Sequence, residues 1–246
     1  MSGRIIALWS TPRSRSTAFF RSMLERGDLL VLHEPFCNLK DHGLTEVLGR
    51  TVRTVNDLKD LIVELAEGQD VFFKDTTDRS HSPVLDDLEF SARITHSFLV
   101  RRPDEIAASF HAIKPDLHCE EVGVENLWNT YTRASDLSVQ PPPVIDAADL
   151  VADPEQMMIL YCRAVGIHFR PESLTWKAGH RTEWRLTKEW HESIAGTTHF
   201  SNRATEYAAT AANTPRLAEI SAHHAPFYER LRAAKLTPPS IPPQDR

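Results

Sequence analysis

The chain has 246 residues, 41% of them hydrophobic and 25% charged, with a formal net charge of −6. That is enough apolar material for a sizeable core, and the acidic balance argues against a general nucleic-acid binder while leaving room for a basic pocket around a small anion. Cys37, Cys119 and Cys162 lie far apart with no CxxC pair, which points to a reducing, cytoplasmic setting and offers no thiolate zinc site.

Ile5 to Trp9 reads as a buried strand, too short for a secretory leader. The loop Thr11-Pro12-Arg13-Ser14-Arg15-Ser16-Thr17 follows it. An amphipathic helix, Ala18 to Arg26, comes next, with Phe20, Met23 and Leu24 on one face and Gly27 as its stop. Leu29 to Leu32 is a second strand ending at His33-Glu34-Pro35, so this stretch is a βαβ unit and predicts a parallel sheet with right-handed crossovers. A helix is expected over Val52 to Leu65, and a third strand over Val71 to Phe73, ending at Lys74-Asp75. Ser82-Pro83 reads as a cap followed by proline at a helix start. Ile94 to Val100 is a fourth strand, ending at Arg101, and helices are expected over Pro103 to Ile113 and Glu121 to Val139.

Pro141-Pro142-Pro143 leads into a short fifth strand, Val144-Ile145, and Asp153-Pro154 opens a helix carrying Met157, Met158, Leu160, Tyr161 and Val165. From Thr175 to Arg203 the pattern loses its period, with Trp176, Trp184 and Trp190 among basic and polar residues. Two helices, Ala204 to His223 and Pro226 to Lys235, are expected to follow. The alternation predicts one α/β domain over residues 1–236, a central parallel sheet flanked by helices. The proline-rich residues 237–246 read as a disordered tail. No apolar run approaches ~20 residues, so no membrane span is expected.

Ionisable residues gather where strands end: Arg13, Glu34, Lys74 and Arg101. Open parallel sheets bind ligands outside the carboxyl ends of their strands, so these side chains are expected to converge on one cleft. The first loop opens at a helix N-terminus, where unpaired N–H groups and the helix dipole favour an anion. It adds the guanidiniums of Arg13 and Arg15 and the hydroxyls of Ser14, Ser16 and Thr17. It is not a triphosphatase P-loop, which needs glycines and a Gly-Lys-Ser/Thr ending. His223 and His224, adjacent on a helix, are expected to point in different directions, and His111 and His118 lack a partner at ligand spacing, so no metal is expected. Cys37 reads as a buried, neutral thiol.

Pro12, Arg13, Ser14, Arg15, Ser16 and Thr17 resemble the 5′-phosphosulfate loop of sulfotransferases that use 3′-phosphoadenosine-5′-phosphosulfate (PAPS). Arg13 stands where lysine is usual, and a guanidinium differs from an ammonium in that it clamps two oxygens. Arg15 stands where glycine is usual. Arg101 with Ser109, on the next helix, resembles the family's 3′-phosphate site. Lys177, Gly179, Arg181 and Trp184 resemble its basic, tryptophan-bearing loop over the nucleotide, with a looser spacing. The His-Glu-Pro-Phe segment is similar to bacterial members.

The resemblance implies a P-loop-like nucleotide-binding fold, PAPS as co-substrate, no metal, and transfer of a sulfuryl group to a hydroxyl of a small-molecule acceptor. It implies charge stabilisation at the bridging oxygen by Arg13, with Ser14, Ser16 and Thr17, and contact with the sulfuryl oxygens by Lys74. The candidate general bases are Glu34, then His81, then His33. Glu34 also reads as an ion-pair partner of Arg13 or Lys74, and Asp75 as a structural partner of a nearby arginine. Acceptor contacts are expected from Phe36 to Val47, Thr76 to Ser82 and His111 to Trp128. Phe36, Phe110 and Trp128 read either as a pocket lining or as core. The acceptor is open between natural-product hydroxyls and sugars. Two other readings stand beside this one: a small-molecule phosphotransferase using a nucleoside triphosphate, and a non-catalytic nucleotide-binding relative.

Overall fold

A computed structural model describes residues 2–184, 190, 192–201 and 206–238. In chain order, β1 (Ile5–Ser10) leads through the first loop to α1 (Ser16–Glu25), β2 (Leu30–His33) and α2 (Pro35–His42). A hairpin, β3 (Thr45–Val47) and β4 (Arg50–Val52), precedes α3 (Val55–Ala66) and β5 (Val71–Thr76). Then come α4 (Ser82–Leu85), α5 (Leu88–Ala92), β6 (Ile94–Val100), α6 (Pro103–His111) and α7 (Val124–Asp136). The chain continues with β7 (Val144–Asp146), α8 (Ala147–Ala152), α9 (Pro154–Ala164), the short α10 (Glu192–Ala195) and α11 (Pro215–Ala233).

The five-stranded sheet has the order β2-β5-β1-β6-β7 and is parallel throughout. Its central strand, Ile-Ile-Ala-Leu-Trp-Ser, is buried along its whole length, as a strand covered by helices on both faces must be. Successive side chains alternate between two cores. Ala7, Trp9, Phe73 and Phe98 pack on one face; Ile6, Leu8, Phe72 and Leu99 pack on the other, with Phe19 and Tyr161. Register sets the functional edge: Ser10 lies beside Thr76 and Leu99, and His33 beside Lys74. The loops after β1, β2, β5 and β6 therefore leave the sheet side by side.

The structure departs from the sequence reading in several elements. Val52 belongs to the hairpin, and α3 starts only after Thr54, whose side chain accepts a hydrogen bond from Asp57 N–H. The hairpin itself turns on Leu48 and Gly49, both left-handed (φ 49° and 76°), the geometry a tight two-residue connection requires. The helix expected from Glu121 is interrupted at Gly123, where φ is 75° and a Cβ would stand 2.8 Å from the Thr77 backbone. The two helices expected at the C-terminus form one: α11 continues through Pro226. Its buried residues Leu217, Ile220, His224, Tyr228 and Leu231 run past the proline, and packing of that stripe against α6 and α7 outweighs the lost hydrogen bond. The predicted tail lies outside the described residues from 239 onward.

Candidate active site

The loop after β1 is tied internally before it meets anything else. Ser14 Oγ donates to the Thr11 carbonyl at 2.6 Å, and the Arg15 carbonyl accepts from Ala18 and Phe19 N–H at 3.0 and 3.2 Å, starting α1. Arg13 and Arg15 both have left-handed backbones (φ 58° and 69°). Such a conformation costs a residue with a Cβ about 1–2 kcal/mol, which gives a physical reason why glycine suits the Arg15 position. The Arg15 side chain makes no capping hydrogen bond at the start of α1, and the N–H of Ala18 in the first turn is taken by the Arg15 carbonyl.

Guanidiniums surround this helix start. Arg13 Nε donates to Ser109 Oγ at 3.0 Å and its Nη1 to the Trp190 carbonyl at 2.9 Å. Arg101 donates to the Arg13 carbonyl at 2.8 Å and to Glu105 at 2.7 Å. Arg15 donates to the Ser201 carbonyl at 2.6 Å. Burial holds Arg13 below the usual arginine range; the field of Tyr207 opposes this and that of Arg101 adds to it. Arg15 is lowered in the same way, by burial and then by Arg101, with Glu105 and Tyr207 opposing.

Across the cleft, Glu34 initiates α2 with a left-handed backbone (φ 48°, ψ 47°). Its N–H donates to the Lys74 carbonyl at 2.7 Å, and Lys74 Nζ donates to Glu34 Oε1. The two ends of β2 and β5 are thus joined by both backbone and side chain. Asp75, the next residue of β5, turns away from the cleft and accepts from Phe36 and Cys37 N–H at 3.2 and 2.9 Å. It holds the start of α2 rather than an arginine. Burial raises its pKa to about 7, opposed by the Cys37 N–H and reinforced by Glu34.

A cavity of about 830 Å³ runs between these groups. At one end its wall includes Arg13, Arg15, Ser16, Thr17, Arg101 and Ser109; at the other, Glu34, Lys74, Asp41, Asp78, Arg79 and Glu121. Arg13, Glu34, Lys74 and Arg101, picked from separate strand ends, all face it. The acceptor-side segments picked from sequence contribute Cys37, Asn38 and Asp41, then Thr76, Asp78 and Arg79, then Ala112, Ile113, Lys114 and Glu121.

Other candidates lie elsewhere. Ser14 is buried inside the loop, its hydroxyl spent on Thr11. His81 is off the cavity wall: its ring packs on Trp9 at 4.8 Å, its Nε2–H donates to the Thr76 carbonyl at 2.8 Å, and burial drives its pKa down to about 4. A histidine fixed in this way is a structural group. His33 is also buried, packing its ring on Phe20 at 4.8 Å, and its pKa is pushed well down by burial and then by Lys74. Lys177, Gly179, Arg181 and Trp184 are absent from the cavity wall, because their segment packs over α1. There Trp184 is buried near Phe20 and His33, Arg21 lies over its ring, and Arg21 donates to the Lys177 carbonyl at 2.9 Å. Arg181 pairs with Glu183 at 3.2 Å.

Phe110 lines the cavity against Trp190, 5.1 Å between centroids. Phe36 is core, packed on Phe73, and Trp128 stacks on Tyr131 outside the cavity. Trp190, His199, Phe200, Ser201 and Tyr207 also line the wall and were missed. They fall in the aperiodic stretch and just after it, where only aromatic content gave a signal.

His223 and His224 do not diverge as expected. Their rings stand 4.8 Å apart, and with Cys119 they bring ligand-type atoms within 4.8 Å of one another. His224 Nε2 is already bonded to the Cys119 carbonyl and His223 Nε2 to Glu125, and none of these residues lines the cavity. Among the described residues, no helix is long and apolar enough to cross a membrane.

A parallel α/β sheet whose first strand runs through an arginine- and hydroxyl-bearing turn into an uncapped helix is a P-loop-like architecture. A profile of the sulfotransferase domain matches residues 3–235, and the chain belongs to that family. The fold is similar to the sulfotransferase domain from the olefin synthase of Synechococcus PCC 7002, with a TM-score of 0.52 and 16% identity over 92% of this chain and 96% of that one. Two Arabidopsis thaliana proteins are also similar. Branched-chain-amino-acid aminotransferase-like protein 2 is 30% identical over 207 residues, 80% of this chain and 36% of its own length. Branched-chain-amino-acid aminotransferase-like protein 1 is 29% identical over 255 residues, 97% of this chain and 45% of its own. This chain thus spans less than half of either plant protein.

Proposed function

We propose that this chain transfers a sulfuryl group from PAPS to a hydroxyl of a small-molecule acceptor. One observation carries the reading. Arg13 and Ser109, 96 residues apart in sequence, are in direct contact at 3.0 Å, and Arg101 holds the Arg13 carbonyl at 2.8 Å. The two segments that resemble the family's 5′- and 3′-phosphate sites therefore meet in one cavity, which suits a nucleotide bearing a 5′-phosphosulfate and a 3′-phosphate better than a triphosphate chain.

In this reading Arg13, Ser16, Thr17 and the first N–H groups of α1 bind the 5′-phosphosulfate, while Arg101 and Ser109 take the 3′-phosphate, with Arg15 beside them. Glu34 removes the proton from the acceptor hydroxyl. The acceptor oxygen forms a bond to sulfur as the bond from sulfur to the bridging phosphate oxygen breaks, and that oxygen leaves with the electron pair on adenosine 3′,5′-bisphosphate. Arg13 offsets the charge gathering there, and Lys74, already held by Glu34, orients the carboxylate and faces the sulfuryl oxygens. Positioning and electrostatics carry most of such a transfer, as they do for phosphoryl groups.

Thermal shift with adenosine 3′,5′-bisphosphate against ADP plus magnesium tests the reading. Saturating bisphosphate is expected to stabilise the protein by about 2.7 kcal/mol at one hundred times its dissociation constant. Stabilisation by ADP–magnesium alone would overturn it in favour of a phosphotransferase.

A further inference from the structure

The cavity wall facing away from the guanidinium cluster is built from separate parts of the chain: the end of α2, the turn after β5, and the connection between α6 and α7. Arg79 stands between two carboxylates, with Nε 3.4 Å from Asp41 Oδ1 and Nη1 3.3 Å from Asp78 Oδ2. Lys114 Nζ lies 2.6 Å from Glu121 Oε1. These pairs are open rather than sealed: the side chains of Arg79 and Lys114 are 36% and 34% exposed. Among the described residues, Asp78 Oδ1 is buried with no hydrogen-bond partner. Ala112 and Ile113, next to Lys114 in the chain, add an apolar strip to the wall, which Phe110 continues toward Trp190.

The chemistry of this lining selects among hydroxyl compounds. A plain aliphatic or aromatic alcohol would strip water from the ion-paired groups and return nothing, and each polar group left unpaired costs about 1–3 kcal/mol. An anionic acceptor would meet four carboxylates, Glu34, Asp41, Asp78 and Glu121, against three cations, Lys74, Arg79 and Lys114, that are already paired with them. A molecule with several hydroxyls supplies donors to the carboxylates and acceptors to Arg79 and Lys114, and a ring's C–H face suits the apolar strip.

We propose that this end of the cavity is a subsite for an uncharged, polyhydroxylated acceptor, held by Arg79 with Asp41 and Asp78 and by the Lys114–Glu121 pair, so that one hydroxyl reaches Glu34. The proposal rests on the sulfotransferase reading above. Its test is a matched acceptor panel with sulfur-labelled PAPS and the intact chain: a methyl hexopyranoside, a disaccharide, cyclohexanol, a phenol and a hexuronic acid. Labelling of the sugars is expected to exceed that of cyclohexanol and the phenol by roughly 10²-fold, with the hexuronic acid poorest. Arg79→Ala and Asp78→Asn are each expected to raise KM for the sugar about tenfold, with the bisphosphate-induced thermal shift unchanged.

Preference for cyclohexanol, the phenol or the hexuronic acid, with that shift intact, overturns the subsite and leaves the sulfotransferase reading standing. The subsite is overturned equally if the sugars, at high concentration with bisphosphate present, are neither labelled nor stabilising. Loss of the bisphosphate shift in the wild-type chain overturns the sulfotransferase reading itself.

Discussion

The two ends of the cavity hold their charges in opposite ways. At the guanidinium end, among the described residues, Arg101 bonds one carboxylate, Glu105, and Arg13, Arg15 and Arg101 otherwise lean on the Ser109 hydroxyl and the carbonyls of Trp190, Ser201 and Arg13. At the other end Lys74, Arg79 and Lys114 each have a carboxylate partner. Neutral carbonyls balance buried cations poorly, so the first end is electrostatically incomplete and gains most from an anion. The second, with four carboxylates against three paired cations, holds no unpaired cation for an anion and offers hydrogen bonds instead. In the proposed function, charge sets affinity at one end, and hydrogen-bond matching sets selectivity at the other.

The largest effect that tests this contrast is expected at Glu34. Glu34→Gln should lower turnover by roughly 10²–10⁴ while the bisphosphate thermal shift persists; unchanged turnover would remove Glu34 as the base. Arg13→Ala should lower kcat by roughly 10²–10³ and also weaken bisphosphate binding, which separates the two variants in a single titration. Arg101→Ala should cost about tenfold or more in bisphosphate affinity, with KM for the acceptor little changed. An equal loss at both ends would show that the contrast is not functional.

Smaller effects concern the frame. His81 and His96 are buried with pKa values lowered to about 4, so the unfolded chain binds protons that the native state does not as pH falls below about 6.5. Stability should therefore fall on acidification from about pH 6.5 to 4. Asp75, raised to about 7, acts in the opposite direction, because the native state keeps a proton that the unfolded chain has lost. Calorimetry across that range should show the fall reduced by His81→Gln and steepened by Asp75→Asn. The smallest expected change is at Arg15. Arg15→Gly removes a left-handed non-glycine residue, worth about 1 kcal/mol and about 2–4 °C in Tm, while bisphosphate affinity drops several-fold, about 1 kcal/mol.

Legibility in the sequence followed the range of the interactions. The βαβ start, the strand positions and the convergence of Arg13, Glu34, Lys74 and Arg101 on one cavity were readable, since register and parallel topology put strand ends together. Asp153 was readable as a cap from local chemistry, and it does accept from Gln156 N–H at 3.1 Å. The place of Lys177, Arg181 and Trp184 off the cavity wall was not, because the packing of that segment over α1 leaves no periodic trace. Nor was the orientation of His81, whose ring turns to Trp9 instead of the cleft.

By itself the sequence determined an α/β chain with an arginine- and hydroxyl-bearing turn after its first strand, because local patterning and parallel crossovers leave few alternatives. Tertiary structure alone decided which other side chains join Arg13, Glu34, Lys74 and Arg101 at the cavity. It brought Trp190 and Ser201 to the guanidiniums, chose Lys74 over Arg13 as the partner of Glu34, and built the Asp41–Arg79–Asp78 wall from separate elements. Apart from that between the neighbours Asp78 and Arg79, those contacts join residues far apart in the chain, and packing rather than spacing brings them within reach.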